Sequence, residues 1–205
     1  MNYVQTPHGP VTPSKIICVG RNYVAHIEEL GNEIPDEPVL FLKPNSAISE
    51  ELRATREGET VHYEAELCFL MVGGRPVAVA PGLDLTRREL QSRLKERGLP
   101  WERAKAFDGS ALFGAFVTLP PDDLPLTIEL AIDDRVVQRG DTSLMLHSLE
   151  TLIEDVSRCI SFVDGDILMT GTPAGVGPVQ AGEAFEARVV HKSECLTDAR
   201  WLAMP

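Results

Sequence analysis

The chain has 205 residues, 43% of them apolar and 24% charged, with a formal net charge of -12 at pH 7. That length holds one good hydrophobic core or two small ones, and the composition is that of a folded globular chain rather than a disordered one. So acidic a balance repels phosphate backbones and anionic lipid, which argues against nucleic-acid and membrane-surface partners. No apolar run has the length of a membrane span, and the start MNYVQTPHGPVTPSK lacks the basic and apolar regions of a secretory signal, so the expected location is the cytoplasm. Cys18, Cys68 and Cys159 sit in apolar surroundings without a CxxC spacing and are expected to be small reduced core residues.

In chain order, the Pro- and Thr-rich first fifteen residues read as loop or short edge strand. IICVG at 16–20 is a short buried strand, after which Asn22 is placed to cap a helix, NYVAHIEELG, closed by Gly31. PVLFLKP is extended and bounded by prolines. VHYEAELCFLMV, from Val61 to Val72, alternates with period two: Tyr63, Ala65, Leu67 and Phe69 on one face, His62, Glu64, Glu66 and Cys68 on the other. RPVAV is a further short strand, and a helix is expected from about Asp84 to Arg97, ended by Gly98-Leu99-Pro100. LTIELAIDDRVVQRG predicts a hairpin around Asp133-Asp134. Leu149, Leu152, Ile153, Val156 and Ile160 mark an amphipathic helix capped by Ser148. DGDILMTGTPAGVGPV is a short strand running into a Gly/Pro-rich loop, and EAFEARVV is a last strand. Strands outnumber helices without alternating regularly with them, which predicts a β-rich α+β architecture rather than a doubly wound sheet.

Glu64 and Glu66 are the strongest local feature. On a strand they share one face, about 6.6 Å apart along the chain. A solvated sheet face would accommodate them without consequence. The apolar flanks of YEAELCFLM suggest burial instead, and buried paired carboxylates require a cation or displaced pKa values. Oxygen-only donors suit Mg²⁺, Mn²⁺ or Ca²⁺. On the expected helix, Asp84, Arg88 and Gln91 share a side and could complete a metal site and grip an anion, or could be an N-capping Asp on a charged surface helix. His26 and Glu29, three apart, could form a carboxylate-oriented general base or a surface pair. Lys105, flanked by alanines and Phe107, is either desolvated or snorkelling. The Gly171-Thr172-Pro173 loop lets backbone amides approach a ligand. There is no GxSxG elbow and no zinc-type histidine spacing.

Taken together, GRNYVAHIEEL, EPVLFLKP, VHYEAEL, LDLTRRELQSRLKERGLPWERAKAFDGS, RGDTSLM and GDILMTGTPAGVGPV resemble the fumarylacetoacetate hydrolase family, in the family's order and over nearly the whole chain. They look most like its short single-domain members, the acylpyruvate hydrolase and oxaloacetate decarboxylase or tautomerase group. The resemblance implies a mixed β-sandwich roll, a single catalytic domain over 1–205 with about 1–45 partly a mobile lid, and usually a homodimer. It implies Glu64, Glu66 and Asp84 as ligands of Mg²⁺ or Mn²⁺, Arg88, Gln91 and Thr172 as substrate contacts, Lys105 as a catalytic cation, and His26 with Glu29 as the pair that activates water. The leading expectation is then a metal-dependent hydrolase that cleaves a C–C bond in acylpyruvate-type 2-oxo acids through a metal-stabilised pyruvate enolate. The alternative is an oxaloacetate decarboxylase or keto–enol tautomerase, or a hydroxy-heptadienedioate isomerase, using the same site. A non-catalytic oxo-acid-binding protein is the remote third. One departure stands out: relatives usually carry about a dozen more residues between the ExE strand and the LDLT segment. Here RPVAVAPGLDLT joins them almost directly. Either the connection is shortened, which would change how Asp84 is presented, or a mobile stretch is absent from the chain as written. The C-terminal HKSECLTDARWLAMP also departs from the family's usual last strand.

Overall fold

The computed structural model describes residues 1–31, 33–122 and 125–205. Its main strands are β1 (Lys15–Gly20), β2 (Val39–Pro44), β3 (Ala65–Val72), β4 (Arg75–Asp84), β5 (Ala111–Phe113), β6 (Leu126–Ile132), β7 (Arg135–Asp141), β8 (Ile167–Met169), β9 (Ala184–His191) and β10 (Glu194–Leu202). The helices are α1 (Val24–Glu29), α2 (Arg88–Glu96), α3 (Glu102–Lys105) and α4 (Leu149–Cys159). The larger sheet runs β5-β4-β3-β8-β1-β2, with Val117–Thr118 also paired to β4. Its one parallel pair among these is β8 with β1. The second sheet, β7-β6-β9-β10, is antiparallel throughout. This is the β-rich α+β roll expected.

Sequence pattern explains which sheet faces what. In β6 the residues Leu126, Ile128, Leu130 and Ile132 are buried while those between are half-exposed, the alternation of a sheet with one face on a core. β3 is buried along its length up to Val72 because both of its faces are covered. Leu67, Phe69 and Met71 join β6, β9 and the apolar stripe of α4 in one core. Cys68 and Leu70 join Ile16, Cys18, Ala80 and Phe116 in a second core on the opposite side.

The short connection turns out to be a tight hairpin. β3 and β4 are joined by Gly73-Gly74, with φ of 57° and 71°, the left-handed pair that a type I′ turn requires. β4 then runs unbroken for ten residues and ends on Asp84. Asp84 is therefore a strand residue, and the helix expected from it begins only at Arg88. Two smaller expectations also change. Asn22 does not cap α1; Tyr23 occupies that position without a side-chain bond. Cys159 is exposed at the end of α4 rather than in the core. The C-terminal segment forms β10, turned back onto β9 through Lys192-Ser193 at φ of 50° and 69°. Among the described residues no helix is long and apolar enough to cross a membrane.

Asp166 anchors the entry to β8. Its buried carboxylate accepts from Ser14 Oγ at 2.6 Å and Val163 N at 2.8 Å, and pairs with Lys15. Burial pushes this carboxyl up, but the bonds from Lys15, Ser14 and Val163 outweigh it and hold the group below its ordinary range. A depressed carboxylate stabilises the fold above its unfolded pKa and ceases to do so as pH falls through the folded one. Asp166→Asn is expected to cost about 1–3 kcal/mol at neutral pH. Thermal unfolding checks this, and the gap between the two proteins should narrow once the pH drops below about 4.

Candidate metal centre

The β3–β4 register brings the three acids together. Ala65 lies opposite Leu83 and Glu66 opposite Gly82, and Asp84 N donates to Glu64 O at 2.8 Å. Glu64 and Glu66 project from the same side two residues apart, and Asp84 meets them from the neighbouring strand. One oxygen from each lies within 4.8 Å of the others, and all three residues are buried. The burial inferred from the apolar flanks is what the structure shows, at 6% exposure for Glu64 and 1% for each of the other two.

Three buried carboxylates need compensating charge. Lys105 Nζ, at the end of α3, donates to Glu64 Oε2 at 2.9 Å, to Asp84 Oδ2 at 2.7 Å and to Thr86 Oγ1 at 2.7 Å. Arg88, in the first turn of α2, pairs with Glu64 Oε1 and donates to Gln91 Oε1 at 3.0 Å. Lys43 Nζ, from β2, lies 2.8 Å from Asp84 Oδ1 and donates to the carbonyls of Leu85 and Lys105. Sequence reasoning missed Lys43, one of the largest fully buried side chains among the described residues. Its one local signal was a lysine inside the apolar run PVLFLKP.

These neighbours displace the acids differently. Burial pushes Glu64 up, but Lys105 and Arg88 more than reverse it and leave the group well below the carboxylate range. Glu66 is pushed well up by burial and by the charges of Asp84 and Glu64, with the Gly171 amide and Lys105 opposing. Burial alone would lower Lys105, yet Asp84 and Glu64 raise it, so it stays a cation.

The loop after β8 supplies the opposite wall. Gly171 N donates to Glu66 Oε2 at 2.8 Å. Its φ is 97°, and a Cβ there would lie 2.9 Å from Asn22 Cβ, so the amide can approach only as glycine. Thr172 Oγ1 donates to Ala65 O at 2.8 Å and accepts from Gln138 Nε2 at 2.8 Å. Gln138 also accepts from Ala65 N at 2.9 Å, tying β7 to the acid-bearing strand. Asn22 braces the same loop, donating to Thr170 O at 2.9 Å and accepting from His147 N at 2.8 Å. On α1, His26 Nδ1 lies 3.2 Å from Glu29 Oε2, and Glu29 Oε1 accepts from Gly175 N at 2.9 Å.

The residues singled out in the sequence thus converge. His26, Glu64, Glu66, Arg88, Gln91, Lys105 and Thr172 line one polar cavity of about 40 Å³. Asp84 sits behind Lys105, and Glu29 touches the cavity only through His26. A wider apolar groove of about 550 Å³ adjoins it, sharing Phe41, Trp101 and Lys105 and extending along Leu40, Leu99 and Ile160.

The donor set fits a hard divalent cation. It offers carboxylate oxygens alone, and Asp84 Oδ1 is buried without a directed hydrogen bond although an ammonium stands beside it. Glu66→Gln is expected to weaken Mn²⁺ binding more than the about 10–100-fold lost when a supporting partner is removed. Because the ligands must be deprotonated, the raised Glu66 group makes the wild-type affinity fall as pH is lowered, from above the usual carboxylate range. Calorimetric titration with Mn²⁺ between about pH 5 and 8 tests both points; undiminished binding by the variant would remove Glu66 from the ligand set.

Comparison with known proteins places this geometry. The fumarylacetoacetate hydrolase C-terminal family model matches residues 15–198. The chain is 38% identical to the mitochondrial oxaloacetate tautomerase oaa1 of Schizosaccharomyces pombe, covering 88% of this chain and 90% of the relative. It is 37% identical to the oxaloacetate tautomerase YcgM of Escherichia coli, covering 83% and 85%. Among solved structures, a fumarylpyruvate hydrolase of Pseudomonas aeruginosa, in complex with Mn²⁺ and pyruvate, superposes with a TM-score of 0.87 at 30% identity, covering 99% of this chain and 95% of that one. A fumarylacetoacetate hydrolase family protein of yeast, ynq8, gives 0.81 at 30% identity, covering 94% of each chain. With an acidic triad able to hold a divalent metal at the head of a β-roll, the chain belongs to the fumarylacetoacetate hydrolase C-terminal family and is an enzyme of it.

Proposed function

We propose that this enzyme interconverts the keto and enol forms of oxaloacetate, with Mg²⁺ or Mn²⁺ held by Glu64, Glu66 and Asp84. Sequence alone set acylpyruvate hydrolysis first and this reaction second. The observation that reverses the order is the similarity to oxaloacetate tautomerases at 37–38% identity over most of both chains. The site's chemistry accommodates the step. A divalent ion, when bound, supplies Lewis-acid polarisation of the keto oxygen. Glu29 accepts from Nδ1 of His26, which leaves Nε2 of that ring to act as the base. His26 takes a proton from C3, the C–H electron pair becomes the C2–C3 double bond, and negative charge moves onto the keto oxygen. The Lys105 ammonium, kept charged by Asp84 and Glu64, faces that charge. The proton then passes from the imidazolium to the oxygen, completing the enol. Arg88, Gln91 and Thr172 hold the substrate's own oxygens.

Acylpyruvate hydrolysis is the second reading. It is favoured by the apolar groove beside Lys105, which has room for an acyl tail, and by a His–Glu pair that could equally take a proton from water. Parallel assays with oxaloacetate, acetylpyruvate and fumarylpyruvate, with Mg²⁺, Mn²⁺ or chelator, separate the two. Metal-dependent tautomerisation of oxaloacetate, faster than cleavage of either acylpyruvate, is the expected result; the reverse order would establish the hydrolase. His26→Ala is expected to lower kcat for tautomerisation by about 10²–10⁴ while altering KM little. An unchanged kcat would remove His26 from the proton path.

A further inference from the structure

The ladder between β6 and β7 slips by one residue. Ala131 lies opposite Val136, yet Leu130 lies opposite Gln138, which leaves Val137 as an extra residue, a β-bulge. In a regular ladder Val137 would face the core beside Leu130, and Gln138 would stand on the outer face beside Glu129. The bulge exchanges them: Gln138 is 1% exposed, and the apolar Val137 is left half-exposed. An amide buried so deeply is costly unless it is bonded. Here both ends are bonded. Oε1 accepts from Ala65 N at 2.9 Å, and Nε2 donates to Thr172 Oγ1 at 2.8 Å and to Pro173 O at 2.7 Å. A backbone N–H fixes the oxygen and a backbone carbonyl fixes the nitrogen, so the carboxamide has one orientation.

The loop after β8 is fitted closely to this bulged strand. Gly175 has a φ of 103°, and a Cβ there would lie 2.0 Å from Val137 O. A Cβ on Gly140 would lie 2.7 Å from Pro173 Cβ. Between these two contacts, the Thr172 hydroxyl is held at both ends: it accepts from Gln138 and donates to Ala65 O, and Thr172 lines the polar cavity. Core packing alone asks for an apolar side chain opposite Leu130, whereas a bulge beside a site re-aims one. From this, and resting on the 2-oxo-acid reading above, we propose that Gln138 is a positioning residue for substrate binding. It locks loop 171–175 against the acid-bearing strand and sets Thr172 toward the substrate. Its bonds run to Ala65, Thr172 and Pro173 rather than to the acids, and it lies behind the cavity lining. Gln138 therefore acts on substrate affinity, not on metal affinity or proton transfer.

The test uses Gln138→Met, similar in length but unable to make these bonds, in the full chain. In hydrogen–deuterium exchange on the metal-free protein, residues 171–176 should exchange about tenfold faster than in the wild type, with α4 within about twofold. With Mn²⁺ bound, KM for oxaloacetate should rise about tenfold, with kcat within about threefold and the calorimetric Kd for Mn²⁺ within about twofold. Thr172→Val should raise KM similarly. The double variant should stay within about twofold of the worse single variant, because both substitutions remove one interaction. Faster exchange with unchanged KM, or KM penalties that multiply in the double variant, would overturn the positioning role and leave Gln138 a packing residue. Unchanged exchange, or a fall in kcat at unchanged KM, would overturn it as well. The two proposals fail separately. A wild type that cleaves an acylpyruvate and leaves oxaloacetate untouched sinks the tautomerase reading alone, and the same KM comparison is then made with that acylpyruvate.

Discussion

Three carboxylates are buried at one end of the larger sheet, and everything around them is arranged so that this can be tolerated. Glu64, Glu66 and Asp84 would be costly in so dry a place without opposite charge within reach. Lys105, Arg88 and Lys43 provide it, each from a different element: α3, α2 and β2. The constraint therefore reaches well beyond the hairpin that bears the acids. It draws in the first turn of α2, the end of the four-residue helix α3 and the edge strand β2, which carries its lysine inward.

The same arrangement distributes protons unevenly. Glu64, flanked by Lys105 and Arg88, is held ionised, while Glu66, facing two other acids with a backbone amide as its closest donor, is pushed the opposite way. A hard cation suits such a set because it supplies the positive charge that Glu66 lacks. Where Lys105 bridges two of the acids, one ammonium both neutralises the triad and faces the cavity where a substrate oxygen would sit. In the proposed reaction support and chemistry would thus share a residue, and substituting Lys105 would disturb both.

The loop after β8 shows how backbone geometry completes what charge begins. Gly171 turns its amide onto Glu66, Thr172 holds the carbonyl between the two glutamates, and Gln138 joins both to the second sheet. These bonds are short-range and directional, so the cavity wall is positioned by the packing of the two sheets rather than by the loop itself. α1 is fastened to the same loop through Glu29 and Gly175, which couples the His26 position to the wall that faces the acids.

Much of the strand content and most of the site's residue types were legible in the chain, for a physical reason: period-two alternation and apolar flanks are local properties. VHYEAEL announced a strand with two acids on one face, and GTPAGVG announced a loop open to a ligand. The assembly was not legible. LDLTRRELQ reads as a helix from its first acid, and only the β3–β4 register decides that Asp84 ends a strand and meets Glu64. Lys43, Gln138 and Asn22 gave little or no local signal because their partners lie 34 or more residues away, on other elements. By itself the sequence determined which donors exist and which faces they share within one element. The tertiary structure alone decided which of them meet, because burying three carboxylates is tolerable only where separate elements bring their charges to the same place.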